Sequence, residues 1–341
     1  MSSSELFREP SWRGLRPALP EYVAAEPAVT DFICRTLGEY GAISQLLLGG
    51  CAVGMFRFQP AGGDAKLVKL VPESRRSSMM QAEDIATWLA ARDAPVVAAL
   101  PGYPVWDGDY GIVVMPYLHG RRVEASEQDM ALLGRSVAQV QKKLASHPDR
   151  LRWERATAER LADLMVVRSS LATGRLSCGP NPERLATLAR DPMLDFVLQD
   201  MERVPLHGDL NPGNVLIVDG KAILLDLEDV FHSVLPPILE LVLAIERYVL
   251  VVVENDAHAV SAGRAFVKAW QSNMGVATVT GSTDLVRVFR SLALRSLCVL
   301  ASAEQHGAAM PDEEWNKFFL LEQLAGRRAH AIALIFEEGV A

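Results

Sequence analysis

The chain has 341 residues, half of them hydrophobic and 22% charged, with a formal net charge of −8. That composition suits a globular protein with a sizeable core, in one large domain or two lobes, and the acidic balance argues against a nucleic-acid partner. The cysteines Cys34, Cys51, Cys178 and Cys298 lie far apart and form no Cys-x-x-Cys pair, which excludes a disulfide scaffold and a zinc site and fits a reducing, cytoplasmic setting.

Met1 to Pro20 carries charge and proline but no apolar core, so it does not read as a signal peptide. Residues 21–40 place Val29, Phe32, Ile33 and Leu37 at helical spacing and predict an amphipathic helix. "ISQLLLGGCAVGMFRF" then predicts two strands of a hairpin around Gly49 and Gly50, and "AKLVKLV" at 65–71 a third strand. A helix is expected over 79–92, with Ile85, Trp88 and Leu89 on one side, and two more strands flank the Asp107-Gly108 turn. Beyond Leu118 the 3.6-residue period dominates, over 126–145, 153–172, 181–202 and most of 236–338. The exception is 204–230, where two short strands join at Asp219-Gly220. The most apolar run, Val234 to Val253, is interrupted by Pro236, Pro237, Glu240, Glu246 and Arg247 and predicts a buried helix after a proline turn, not a membrane span. The fold class expected is therefore α+β, with a small antiparallel-sheet lobe over 1–118, carrying an N-terminal helical extension, and a larger, mainly helical lobe over 119–341. A cleft between two such lobes is where a small-molecule site is expected.

The densest group of polar residues lies in "LHGDLNPGNVL" at 206–216. Taken alone, it also fits a polar surface turn. Phosphoryl transfer, however, needs a carboxylate that orients or accepts the proton of an attacking hydroxyl, and an amide oxygen and a second carboxylate that hold Mg²⁺ against nucleotide phosphates. Asp209, Asn214 and, after the next short strands, Asp226 have those types in that order. The interval of five residues from Asp209 to Asn214 matches the catalytic loop of protein kinases.

With "ILLDLEDV" following, the stretch resembles the aminoglycoside phosphotransferase/choline kinase-like family, whose members read His-Gly-Asp-hydrophobic-x-x-x-Asn and then Asp-hydrophobic-Glu. The resemblance covers roughly residues 40–245. It implies a bilobal protein-kinase-like fold, ATP and Mg²⁺ as cofactors, Asp209 as catalytic base, Asn214 and Asp226 as metal ligands, and His207 as a structural brace. Upstream, it implies that Gly49 and Gly50 approach the phosphates, that Lys69 pairs with the α/β-phosphates and that Glu83 holds Lys69 by an ion pair. Met115, Tyr117 and Leu118 would form the hinge beside the adenine. Strand alternation puts Lys66 and Lys69 on opposite faces, and Lys69 is preferred because "LVK" matches the kinase register.

Position 211 is Asn, where protein kinases often carry Lys but small-molecule kinases commonly do not, and two further positions depart from the family pattern. Its Leu-His near the end of the first large-lobe helix is Val140-Gln141 here, and the Asp of Pro-x-x-Asp-Leu-Ala is Glu240. The acceptor is expected to be a small hydroxyl compound, such as an aminoglycoside or other amino sugar, choline, ethanolamine or homoserine. It would bind among C-terminal helices whose Trp270, Trp315 and acidic residues would suit a cation. A non-catalytic, pseudokinase-like nucleotide-binding protein is the competing class. A protein kinase fits less well, because no Ala-Pro-Glu-type segment is present.

Overall fold

The computed structural model describes residues 20–48, 51–198, 201–276 and 284–337, so the Gly49-Gly50 turn lies outside the described residues. The described residues begin with strand β1 (Pro20–Ala24) where a helix was expected from position 21. Helix α1 spans only Pro27–Leu37: Glu26 is extended, as the residue before a proline prefers, and Pro27 begins the helix. Strands β2 (Gly41–Leu48), β3 (Cys51–Pro60) and β4 (Lys66–Pro72) follow, then helix α2 (Arg76–Ala90), then β5 (Val105–Asp107) and β6 (Tyr110–Pro116). They form an antiparallel sheet in the order β1-β2-β3-β4-β6-β5.

Strand alternation decides what each face of this sheet carries. Phe56, Phe58, Val68, Leu70, Ile112 and Val114 are buried with Val29 and Ile33 of α1. Val71 and Val113 pack with Met79 of α2. Lys69 stands opposite Val113 in the ladder and shares that α2 face.

The second lobe is mostly helix: α3 (Glu127–Leu144), α4 (Arg150–Ala172), α5 (Pro182–Arg190), α6 (Pro237–Ile245), α7 (Asp256–Met274), α8 (Leu285–Gln305), α9 (Asp312–Arg327) and α10 (Ala329–Phe336). Helix α5 stops well short of the expected 202, because Asp191 turns extended before Pro192. A π-helical turn, Glu246–Leu250, continues α6. Helices α3 and α7 cross where α3 carries Gly134; a Cβ there would stand 2.4 Å from the Phe266 carbonyl oxygen. The contact is therefore backbone against backbone, which a larger residue would push apart. Among the described residues no helix is long and apolar enough to cross a membrane.

The short strands of this lobe carry the polar loop. β8 (Val204–Pro205) pairs with β11 (Val234–Leu235), and β9 (Val215–Val218) pairs with β10 (Lys221–Leu224) and with β7 (Arg121–Arg122). The segment after α2 is stitched to the same hairpin. Val96 forms a parallel bridge with Leu224, whose N–H donates to the Pro95 carbonyl at 2.8 Å. The two lobes thus meet two residues before Asp226.

Candidate active site

The loop between β8 and β9 is held by its own backbone and by buried side chains. Gly208 has φ +88°, and a Cβ there would lie 2.4 Å from Ser233 Oγ, so position 208 needs glycine both for its left-handed backbone and for space. His207 is fully buried. Its Nε2 donates to the Leu225 carbonyl at 2.8 Å, and Nδ1 accepts from the Asp209 N–H at 3.4 Å. The Leu225 N–H donates to the Asn214 carbonyl at 2.8 Å. Leu225 is therefore gripped from both sides, which sets the position of Asp226. That residue has φ +58°, a left-handed conformation that Asp adopts at a cost of about 1 kcal/mol or more and that tertiary contacts must hold.

Within the loop, Asp209 Oδ2 accepts from Asn211 Nδ2 at 2.7 Å and from Asn214 Nδ2 at 3.0 Å. Asn214 Nδ2 also donates to the Asp209 carbonyl at 3.0 Å. Both bonds use the amide nitrogen and turn the amide oxygen away from Asp209. Asn211 Oδ1 accepts from the Gly213 N–H at 2.7 Å, and the Tyr248 hydroxyl donates to the Asn211 carbonyl at 2.6 Å. Burial pushes the Asp209 carboxyl up, against the bond from Asn211, which pulls it down.

Lys69 reaches this loop from the sheet. Its Nζ lies 2.6 Å from Glu228 Oε1 and 3.5 Å from Asp226 Oδ2, and Arg75 pairs with Glu228 Oε2. Burial alone would depress the Lys69 ammonium, but the two carboxylates together raise it. The Asp226 carboxyl lies below its ordinary range because Lys69 and its neighbours outweigh the effect of burial. Lys66 points to the other face and pairs with Glu39 at 2.6 Å.

The expected partner of Lys69 is replaced. Glu83 Oε2 accepts instead from the Ala99 N–H at 3.0 Å, so the lysine is held by Glu228 of the second lobe. Burial keeps the Glu83 carboxyl above its ordinary value. A carboxylate committed to a backbone amide gains less from reaching the lysine, and Glu228 offers Lys69 a direct contact.

At the expected hinge, Met115 lies opposite Leu67 in the ladder and the Tyr117 N–H donates to the Ala65 carbonyl at 3.2 Å. The Tyr117 ring lies under Arg57, with 4.8 Å from the guanidinium carbon to the centroid, and its hydroxyl is 3.3 Å from that of Tyr22. Leu118 follows as irregular backbone at the end of this strand.

The two departures from the family pattern meet in space. Gln141 Nε2 donates to Glu240 Oε2 at 2.6 Å, Trp270 Nε1 donates to Gln141 Oε1 at 2.8 Å, and Glu240 Oε1 accepts from the Gly208 N–H at 3.0 Å. All three side chains are buried. Burial raises the Glu240 carboxyl.

The C-terminal helices carry cations as well as acids. Trp270 and Trp315 are both core residues. On α9, burial depresses the Lys317 ammonium, opposed first by Glu314 and more weakly by Asp209. Lys317 Nζ and the Arg247 guanidinium carbon lie 4.7 and 5.5 Å from the Phe318 ring centroid.

Asn211, Arg75, Glu228 and Tyr248 were not among the expected site residues. Glu228 had a signal, since it fills the final position of Asp-hydrophobic-Glu. Asn211 stands where protein kinases often carry Lys, whereas Arg75 and Tyr248 have no spacing that marks them.

The donor set suits a hard divalent cation. Asp226 and Glu228 present carboxylate oxygens, already drawn to a positive charge on Lys69, and Asn214 has its amide oxygen to offer. Among the described residues no group of three or more His, Cys, Asp and Glu side chains could hold a metal.

Residues 46–270 match the sequence model of the phosphotransferase enzyme family. A search of curated proteins by sequence returned no match. In structure the chain is similar to choline kinase LicA from Streptococcus pneumoniae, at 13% identity and a TM-score of 0.56, covering 88% of this chain and 98% of that one. It is similar to amicoumacin kinase hAmiN, solved with AMP-PNP, Ca2+ and Ami, at 15% identity and a TM-score of 0.55, covering 87% and 93%. Spectinomycin phosphotransferase APH(9)-Ia, solved with ADP and spectinomycin, gives 13% identity and a TM-score of 0.55 over 88% and 98%. These likenesses establish the bilobal protein-kinase-like fold. The family match spans the Lys69 strand, the catalytic loop and Asp226 together, and on that ground the chain belongs to the phosphotransferase enzyme family and is a small-molecule kinase.

Proposed function

We propose that the protein transfers the γ-phosphoryl group of ATP, with Mg²⁺, to a hydroxyl of a small molecule. One observation carries this reading: Lys69, more than a hundred residues upstream, lies 3.5 Å from Asp226, while Asn214 bonds Asp209 at 3.0 Å and its carbonyl takes the N–H of Leu225, next to Asp226. The nucleotide and divalent ion held by a kinase of the same fold support the choice of cofactors. In this reading residues 1–118 would hold the nucleotide, with Met115, Tyr117 and Leu118 beside the adenine, and residues 119–341 would supply the catalytic loop and the acceptor pocket.

In this mechanism Asp209 meets the acceptor hydroxyl with Oδ1, because Oδ2 already takes two amide donors. It orients the hydroxyl and receives its proton as the new P–O bond forms and the bond from the γ-phosphorus to the bridging oxygen breaks, releasing ADP. Lys69 binds the phosphates and leaves the carboxylates it now touches. Asn214 and Asp226, with Glu228, would supply oxygens to hold Mg²⁺, and the ion would neutralise phosphate charge. Asn211 and Tyr248 keep the loop in shape. Most of the rate enhancement comes from positioning and electrostatics.

The test is a coupled ADP-release assay over amino sugars, choline, ethanolamine, homoserine and related alcohols, alongside calorimetric nucleotide binding. Asp209→Asn should lower kcat by roughly 10²–10⁴-fold while the Kd for Mg-ATP stays within a few-fold. Binding of Mg-ATP without turnover on any acceptor would favour the pseudokinase-like alternative, and no nucleotide binding at all would overturn the assignment.

A further inference from the structure

Arg75 has no part in the mechanism above, yet it lies inside the cleft. It ends the single 3-10 turn Glu73–Arg75 that links β4 to α2, six residues after Lys69. Its guanidinium takes Glu228 Oε2 while Lys69 takes Glu228 Oε1, so one carboxylate holds two cations of the first lobe side by side. The Arg75 side chain is 43% exposed and Glu228 only 14%, which places the guanidinium at the open edge of the cluster rather than in the core. Its charge also acts on the other members: it helps to lower the Asp226 carboxyl and opposes the charge on Lys69.

Two like charges sharing one carboxylate repel each other, and that arrangement suits a polyanion placed between them. Lys69 alone is a point charge on a flexible stem. A guanidinium adds a planar fork that matches two oxygens of one phosphate or of neighbouring phosphates. We infer that Arg75 is a second phosphate-binding cation of the nucleotide site, paired with Lys69 and directed at the β- and γ-phosphates. The inference rests on the phosphotransferase reading and extends it to a residue outside the loop motif.

The experiment measures calorimetric Kd values for AMP, ADP and ATP at fixed Mg²⁺ in the unaltered protein, Arg75→Ala and Arg75→Lys. Loss of a charge-assisted contact to the terminal phosphates should weaken ATP by about ten- to a hundredfold and ADP by less, with AMP unchanged, and lysine should restore part of the loss. Equal weakening of all three nucleotides would assign Arg75 to joining the lobes and overturn the inference. Unchanged binding of all three would overturn it as well. A melting curve on each variant separates these outcomes from misfolding, which an exposed arginine at a turn should not cause. Failure of the unaltered protein to bind any nucleotide would overturn the phosphotransferase reading and this inference with it. Normal ATP binding by Arg75→Ala would overturn this inference alone.

Discussion

Glu246 shows how a single residue couples burial to pH. It begins the π-helical turn after α6, is 2% exposed, and pairs with Arg247 at 3.2 Å. Its second carboxylate oxygen, Oε2, is buried without a hydrogen-bond partner. Burial pushes this carboxyl up to about 7, with Arg247 and Lys317 opposing the rise. A raised carboxyl pKa means that the folded protein holds a proton the unfolded chain has already released. The stability from the neutral form is complete below the ordinary carboxylate range and is lost as pH rises towards 7. Glu246→Gln, which mimics the neutral form, should therefore lie within about 1 kcal/mol of the unaltered protein in urea unfolding at pH 5. At pH 8 it should be more stable, by up to about 3 kcal/mol. Equal stability differences at both pH values would refute this account. The charges around Glu246 also bear on the acceptor. Lys317 lies near enough to Asp209 to feel its charge, so the C-terminal helices bring a cation as well as acids towards the site.

At the scale of elements, the catalytic loop is held by three helices through one buried chain of polar side chains. Trp270 of α7 fixes Gln141 of α3, Gln141 fixes Glu240 of α6, and Glu240 takes the Gly208 N–H. A longer acid at 240 and an amide at 141 fit together: the extra methylene of Glu240 carries its carboxylate to both Gly208 and Gln141. Glu240→Asp shortens that reach and should lower kcat about tenfold with little change in the Kd for nucleotide, because the loop shifts while the sheet lobe does not. A double-mutant cycle with Gln141→Ala should show a coupling energy of about 1–3 kcal/mol in unfolding measurements. Additive effects would mean that the two side chains act separately.

For the molecule as a whole, the lobes are joined by charge in the cleft and by the Val96–Leu224 bridge beneath it. A ligand that bridges the lobes should stabilise both together. At a Mg-ATP concentration a hundredfold above Kd the unfolding free energy should rise by about 2.7 kcal/mol. Lys69→Met should lose most of this gain at the same concentration, because its phosphate contact is gone. Thermal unfolding with and without Mg-ATP measures both; an undiminished shift in the variant would exclude Lys69 from the nucleotide site.

Much of this protein was legible in its sequence for local reasons. The Asp209–Asn214 interval, the Asp-Gly hairpins and the alternation in "KLVKLV" are short-range patterns, and strand period alone separated Lys69 from Lys66. The helix boundaries that were missed, at 21–26 and 191–202, were overruled by Pro27 and Pro192, each of which turned the residue before it extended. Contacts between distant segments were decided by the tertiary structure. The pairing of Lys69 with Glu228 instead of Glu83, the Gln141–Glu240 compensation and the clasp of Arg75 join residues about 100 to 159 positions apart. Such pairs leave no periodic trace, because each depends on how two lobes and three helices pack, and on which carboxylate lies closest when burial has removed the alternatives.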